Sequence, residues 1–229
     1  MSDAAQIEMV ASLIGEKGRV AMLLSLMDGS ARPAGELALL ADVSPQSASA
    51  HLTKLVGGQI LSVVRTGRHK YYRIASAAVA HAVEALSAAT PRSKDAQQKS
   101  GGPDETLRFA RTCYDHLAGK LAVELAQSLQ RRGLVKALEG SYEVTSAGEA
   151  WLGGIGIDAE SVRSERRAFA LPCLDWTERR FHIAGGLGAA LLRQMLELGW
   201  IAKSGAVRTV RVTVRGKLAL NRKLGMGLS

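Results

Sequence analysis

Two groups of side chains in this sequence carry residue types that chemistry needs. The first is the run Ser44-Pro45-Gln46-Ser47-Ala48-Ser49-Ala50-His51-Leu52-Thr53-Lys54-Leu55. Ser44 suits a helix N-cap and Pro45 a first helical position, so the run predicts a helix. Ala48, Leu52 and Leu55 then share one face, which leaves Gln46, Ser47, Ser49, Ala50, His51 and Lys54 largely outward. A helix with short polar outward residues can seat in the major groove of DNA. Gln46 can pair with an adenine edge there, and Lys54 can reach a phosphate. After Gly57-Gly58, the segments Ile60–Val64 and Lys70–Ile74 predict a β-hairpin with Gly67 in its turn. Its tip supplies Arg65, Arg68, His69 and Lys70, charges suited to phosphates or the minor groove.

The second group comprises Cys113, Asp115 and His116 in one segment and Cys173, Asp175 and His182 in another. Together they contain the atoms of a thiolate–imidazole metal site. Other uses of the same residues stay open. Phe109, Cys113 and Leu117 fall at i, i+4 and i+8, which turns Cys113 toward a core if the segment is helical. Cys173 precedes Asp175 and Glu178, an N-cap and N3 pair, and Arg179 and Arg180 follow closely. A thiol at such a helix start has a lowered pKa and suits redox or electrophile sensing. The ligands come from separated segments, so spacing alone does not choose among core packing, thiol chemistry and metal binding. His116 and His182 are expected to make equivalent structural hydrogen bonds to the turns that follow them. No nucleophile–base pairing, acid pair or phosphate loop stands out, which argues against an enzyme. His116 beside Cys113 is the one faint catalytic candidate.

The elements that must position these residues fall into two parts. Residues 91–104 are almost devoid of apolar side chains and rich in Pro, Gly, Ser and Gln, and so read as a linker. It separates a first domain, 1–90, from a second, 105–229. In the first, helical spacing of Ile7, Val10, Leu13 and Ile14 is followed by a short helix over Arg19–Met27 and a third over Ala34–Ala41. The helix from Pro45 and the hairpin come next. A closing helix over Ala75–Ala88 places Val79, Val83 and Leu86 on one side. This is the order of a winged helix-turn-helix.

The second domain repeats itself. His116-Leu117-Ala118-Gly119-Lys120-Leu121 matches His182-Ile183-Ala184-Gly185-Gly186-Leu187 at an offset of 66, and Val144-Thr145-Ser146-Ala147-Gly148 matches Val212-Thr213-Val214-Arg215-Gly216 at 68. Each copy, about 105–157 and 171–229, reads as the back half of a winged helix: helix, Gly stop, strand, turn, strand, Thr-capped helix. Ser146 and Glu149 have capping-box spacing. Gly119 and Gly185 read as close contacts rather than phosphate loops. The fold class is therefore mostly α with small β-hairpins: an N-terminal winged helix-turn-helix and a C-terminal α+β domain of two winged-helix-like repeats.

Composition sets the frame. The chain has 229 residues, 47% hydrophobic and 22% charged, enough for a core. No apolar run is long enough to span a bilayer, and the start lacks a signal peptide, so a cytoplasmic location with reduced Cys113 and Cys173 is expected. The net charge is +9. From Lys203 onward there are seven basic residues (Lys203, Arg208, Arg211, Arg215, Lys217, Arg222, Lys223) and no acidic one. Such a tail suits a polyanion or simply a solvated surface.

The run Glu36-Leu37-Ala38-Leu39-Leu40-Ala41-Asp42-Val43-Ser44-Pro45 through Leu55, followed by Gly57-Gly58-Gln59-Ile60-Leu61 and Arg65-Thr66-Gly67-Arg68-His69-Lys70-Tyr71-Tyr72-Arg73-Ile74, resembles the ArsR family of bacterial repressors over residues 7–88. The resemblance implies a homodimer, formed by the first and last helices of the domain, that reads a near-palindromic operator in double-stranded DNA. Many members sense metals through cysteines in the helix before the reading helix. This chain has Glu36-Leu37-Ala38-Leu39-Leu40 there and no thiol. A second family site uses Asp and His of the closing helix, which here holds only His81 and Glu84. Neither site carries over. Cys113–Gly119 and Cys173–Gly188 are also similar to two elements of ArsR-like proteins with a C-terminal extension. A dimeric regulator, acting as a repressor, is thus expected, with a small molecule, an oxidant or a metal as possible effector. The alternative is an architectural DNA binder without effector sensing.

Overall fold

The computed structural model describes residues 2–67, 69–89, 105–204 and 208–228. The linker over 91–104 and the wing residue Arg68 lie outside the described residues. The chain divides into two compact units, Met1–Val83 and Glu84–Ser229.

The first unit runs α1 (Asp3–Ile14), α2 (Lys17–Ser25), β1 (Arg32–Pro33), α3 (Ala34–Ala41), α4 (Pro45–Gly57), β2 (Leu61–Thr66), β3 (His69–Ile74) and the first half of α5 (Ala77–Ala89). Each expected helix is present, and the hairpin pairs from Leu61↔Ile74 out to Thr66↔His69. The short β1 adds a third strand, in the order β1-β3-β2. Met22, Leu23, Leu26, Leu37, Leu52, Leu55, Leu61 and Ile74 are all at most 2% exposed and form the core. The face of α5 differs from expectation. Ala80 and Glu84 are buried and Val79 and Val83 half-buried, whereas Leu86 is half exposed; Glu84, the first residue of the second unit, pairs with Arg208 of that unit.

The second unit comprises α6 (Glu105–Phe109), β4 (Arg111–Cys113), β5 (His116–Ala118), α7 (Lys120–Arg131), β6 (Val135–Leu138), β7 (Ser141–Val144), α8 (Ser146–Gly153), α9 (Ala159–Arg163), β8 (Leu171–Leu174), β9 (Phe181–Ala184), α10 (Gly185–Glu197), β10 (Ile201–Lys203), β11 (Val210–Val212) and α11 (Val214–Leu224). Two copies of helix–hairpin–helix–hairpin–helix are visible in that order, α6–α8 and α9–α11. The expected repeat thus extends further toward the N-terminus than the matching residues, and each copy gains a leading hairpin. Thr145 and Thr213 cap α8 and α11 alike, accepting from the N–H of Gly148 and Gly216 and donating to the carbonyls of Gly133 and Gly199. Thr145, not Ser146, is therefore the N-cap. Glu149 does not close a capping box; it pairs with Arg163.

The copies are interlocked. The Tyr142 N–H of β7 donates to Ala170 O beside β8, and the Val210 N–H of β11 donates to Ala110 O beside β4. Helix α10 packs on β5, and α7 packs on β9. One continuous core results, built on Leu121, Leu125, Leu129, Leu187, Leu191, Met195 and Leu220.

Candidate nucleic-acid interface and a buried cysteine–histidine cluster

In the first unit, Ser44 caps α4 by accepting from the Ser47 N–H, and Pro45 occupies the first turn. Ala48, Leu52 and Leu55 are buried, while Gln46, Ser47, Ser49, Ala50 and Lys54 are exposed. His51 departs from the expected outward set. Its side chain is 18% exposed, with Nε2 3.4 Å from Glu16 Oε2 and Nδ1 3.3 Å from Arg19 Nη1. It fastens α4 to the start of α2, where Glu16 also accepts from the N–H groups of Gly18 and Arg19. Those two hydrogen bonds, ahead of the nearby cations, hold the Glu16 carboxyl below its usual range. In the hairpin, Arg65 faces Lys70 across the strands, and Arg65, His69 and Lys70 are exposed. Small polar side chains on one helix and cations on the adjoining hairpin thus form the open surface of this unit.

In the second unit the two leading hairpins place Cys113 directly opposite His116, and Cys173 directly opposite His182. The four residues are at most 8% exposed. One ligand-type atom from each lies within 4.8 Å of the other three. His116 Nε2 and His182 Nε2 face one another at 3.1 Å. The two rings, expected to serve the turns that follow them, meet each other here.

The other ring nitrogens point toward carboxylates. His116 Nδ1 is 3.3 Å from Asp115 Oδ1, and His182 Nδ1 is 3.7 Å from Asp175 Oδ2. Each carboxylate is in turn held by an arginine. Arg167 donates to Asp115 at 2.7 Å, and the fully buried Arg111 donates to Asp175 at 2.9 Å. Asp175 also accepts from the N–H groups of Gly119, Thr177 and Glu178. Against burial, which raises it, Arg111 and these donors hold the Asp175 carboxyl well below its usual range. The hydrogen bond from Cys113, followed by those from His116 and His182, holds the Cys173 thiol far below its usual value. The same contact with Cys173, with burial behind it, pushes Cys113 up.

Two expectations about local structure are corrected. Cys113 is buried, but on a strand of a tight hairpin, so its burial has nothing to do with helical spacing. Asp175 has the contacts of a cap but no helix follows it; the turn residues lead directly into β9. Cys173 therefore gains no helix dipole, and its neighbours Cys113, His116 and His182 supply the polarity instead. Gly119 and Gly185 are the expected close contacts. At φ +86 and +78, with the carbonyls of Arg108 and Ala168 each 2.7 Å from where a Cβ would stand, both positions require glycine.

Sequence reasoning missed Arg111 and Arg167, which orient the carboxylates. The Cys–His pairing also escaped it, although a signal existed. Cys113 maps onto Cys173 at an offset of 60 and His116 onto His182 at 66, and the six extra residues sit in the β8–β9 loop. The basic C-terminal run is mixed: Arg211, Arg215, Lys217 and Arg222 are exposed, whereas Arg208 is consumed by a buried ion pair with Glu84. Among the described residues, no helix is long and apolar enough to cross a membrane.

No family model matches the chain. It is 46% identical over 220 residues to YdfF, an uncharacterized HTH-type transcriptional regulator of Bacillus subtilis (strain 168), spanning 96% of this chain and 97% of that relative. Among solved structures, NolR from Sinorhizobium fredii is 28% identical, with a TM-score of 0.35, over 37% of this chain and 84% of its own. The winged helix-turn-helix domain of Mb0332 from Mycobacterium bovis, a possible ArsR-family regulator, is 26% identical, with a TM-score of 0.34, over 38% and 83%. With a full-length relative at that identity and a capped, polar-faced helix followed by a basic hairpin, the chain belongs to the HTH-type transcriptional regulators.

Proposed function

We propose that the protein is a homodimeric, sequence-specific repressor whose C-terminal unit carries the response to an effector. The observation that carries this reading is α4, which buries Ala48, Leu52 and Leu55 and leaves Gln46, Ser47, Ser49 and Lys54 free. These residues, with Ser44 at the helix start, form the base-reading edge, and Arg65, Arg68, His69 and Lys70 form the phosphate-contacting wing. His51 acts indirectly, by fixing the pose of α4. Ile7 at 69% and Met9 at 44% exposure leave α1 with apolar surface that a second copy would cover. Cys113, His116, Cys173, Asp175 and His182, with the half-buried Asp115 beside them, make up the only polar cluster, among the described residues, with both thiols and imidazoles. This supports placing the response there.

The test is fluorescence anisotropy with the intergenic DNA upstream of the protein's own gene, alongside random DNA of the same length at physiological salt. A specificity ratio on the order of 10³ or more is expected. A ratio near one, with a steep salt dependence, would show an architectural binder instead. Sedimentation should give twice the chain mass. Transcription from the same promoter should rise when the gene is deleted.

A further inference from the structure

We infer that Cys113, His116, Cys173 and His182 are the four ligands of a tetrahedral zinc-type metal centre, two from each copy of the duplicated unit. The inference stands on the second unit's geometry and is independent of the operator reading.

Four observations carry it. Ligand atoms bound tetrahedrally at zinc distances are about 3.3–3.8 Å apart. The imidazole nitrogens already stand at 3.1 Å, and no pair among the four exceeds 4.8 Å. No pair therefore needs to close by more than about 1.5 Å to satisfy zinc bond lengths.

The ring orientation is the second observation. Metal-bound histidines turn their other ring nitrogen to a carboxylate or carbonyl, which fixes the tautomer. His116 does so here, toward Asp115, and His182 Nδ1, buried without a hydrogen-bond partner, faces Asp175 at 3.7 Å. The two Nε2 atoms converge across 3.1 Å, a separation that either a shared proton or a metal ion can bridge.

The third observation is the rigidity behind the ligands. Asp115 is held by Arg167, and Asp175 by Arg111 and three backbone N–H groups. The fourth is burial. Thiolates and imidazoles at 0–8% exposure are costly to keep polar and unneutralised. Two thiolates bound to a dication leave no net charge. With four protein ligands and no gap in the shell, the centre is closed, which suits holding the copies together rather than activating water.

The test uses the full chain, purified under reducing conditions. Elemental analysis should find one equivalent of zinc per chain. After chelation, Co²⁺ should restore one equivalent with tetrahedral ligand-field bands and thiolate charge-transfer absorption, both displaced by Zn²⁺. Cys113→Ser and Cys173→Ser should each weaken the charge-transfer band. Asp115→Asn, which keeps every ligand, should weaken Zn²⁺ binding by about 10–100-fold with the spectrum unchanged. Ligand variants can misfold, so the wild-type titration is the deciding measurement. Folded, reduced wild-type protein that retains no zinc and gives no thiolate–cobalt band overturns the proposal. So does native protein whose two thiols are found joined as a disulfide.

Discussion

In the first unit the chemistry-bearing side chains stand on the outside of a single helix, spaced by its turn and backed by three apolar residues. In the second they are buried at the meeting of two hairpins sixty residues apart, and a carboxylate held by an arginine stands behind each histidine. The difference lies in what must be precise. A surface reader needs only a rigid local scaffold, because its partner supplies the rest of the site. A buried cluster must find its polar partners within the protein, and Arg111, Arg167, Asp115 and Asp175 supply most of them, leaving Arg111 Nε and His182 Nδ1 without one. Substitutions should therefore cost binding in the first region and folding in the second.

The largest effect expected is from Asp175→Ala. It strands Arg111, which is fully buried against it. Removing one partner of a buried ion pair costs about 3–5 kcal/mol. Hydrogen-exchange mass spectrometry should show β4–β5 and β8–β9 losing protection while α4 keeps its own. Equal loss in both units would break the comparison.

Gly119→Ala and Gly185→Ala come next. Each forces a Cβ into a carbonyl at a positive φ. Strain of this kind costs of order 1–3 kcal/mol. Denaturant unfolding should give the two variants similar losses, since their surroundings match nearly atom for atom. A large inequality would show that the copies have diverged in packing.

In the first unit, Gln46→Ala should cost about 1–3 kcal/mol of discrimination at one base pair and little stability. Lys54→Ala should weaken all DNA alike and reduce the salt slope by roughly one. Operator and random-DNA titrations separate the two. Unchanged affinity in both variants would remove α4 from the interface. The smallest effect is from Ser44→Ala. Loss of the cap on α4 should cost about 1 kcal/mol in thermal unfolding, confined to the first unit.

The same contrast explains what the sequence made legible. Helices α1 to α4 and the wing follow from local rules: apolar spacing, a Ser-Pro start, a glycine in the hairpin turn. His51 broke the pattern because Glu16, far from it in sequence, offered a carboxylate that helical periodicity does not reveal. In the second unit the repeat was visible from His116 and His182 onward. The preceding hairpins were not, because a three-residue strand is too short to show alternation. The helix expected after Asp175 had the right capping residues, but those hydrogen bonds serve a turn before β9. Arg111 left no trace in the sequence, since its role comes only from the fold.

The two copies of the second unit pack on one another reciprocally, helix α10 on β5 and α7 on β9. Each copy completes its core on the other, and backbone hydrogen bonds join their hairpins in both directions, as in two subunits of a two-fold dimer. The tandem arrangement thus resembles such a dimer carried on one polypeptide, with Cys113–His116 and Cys173–His182 as twin half-sites about its pseudo-axis. Fusion frees the halves to differ. The second hairpin has used that freedom for six added residues, which carry the Asp175 turn and set Trp176 against the Arg111 guanidinium. A true dimer would have had to make the same insertion twice, on both sides of its axis.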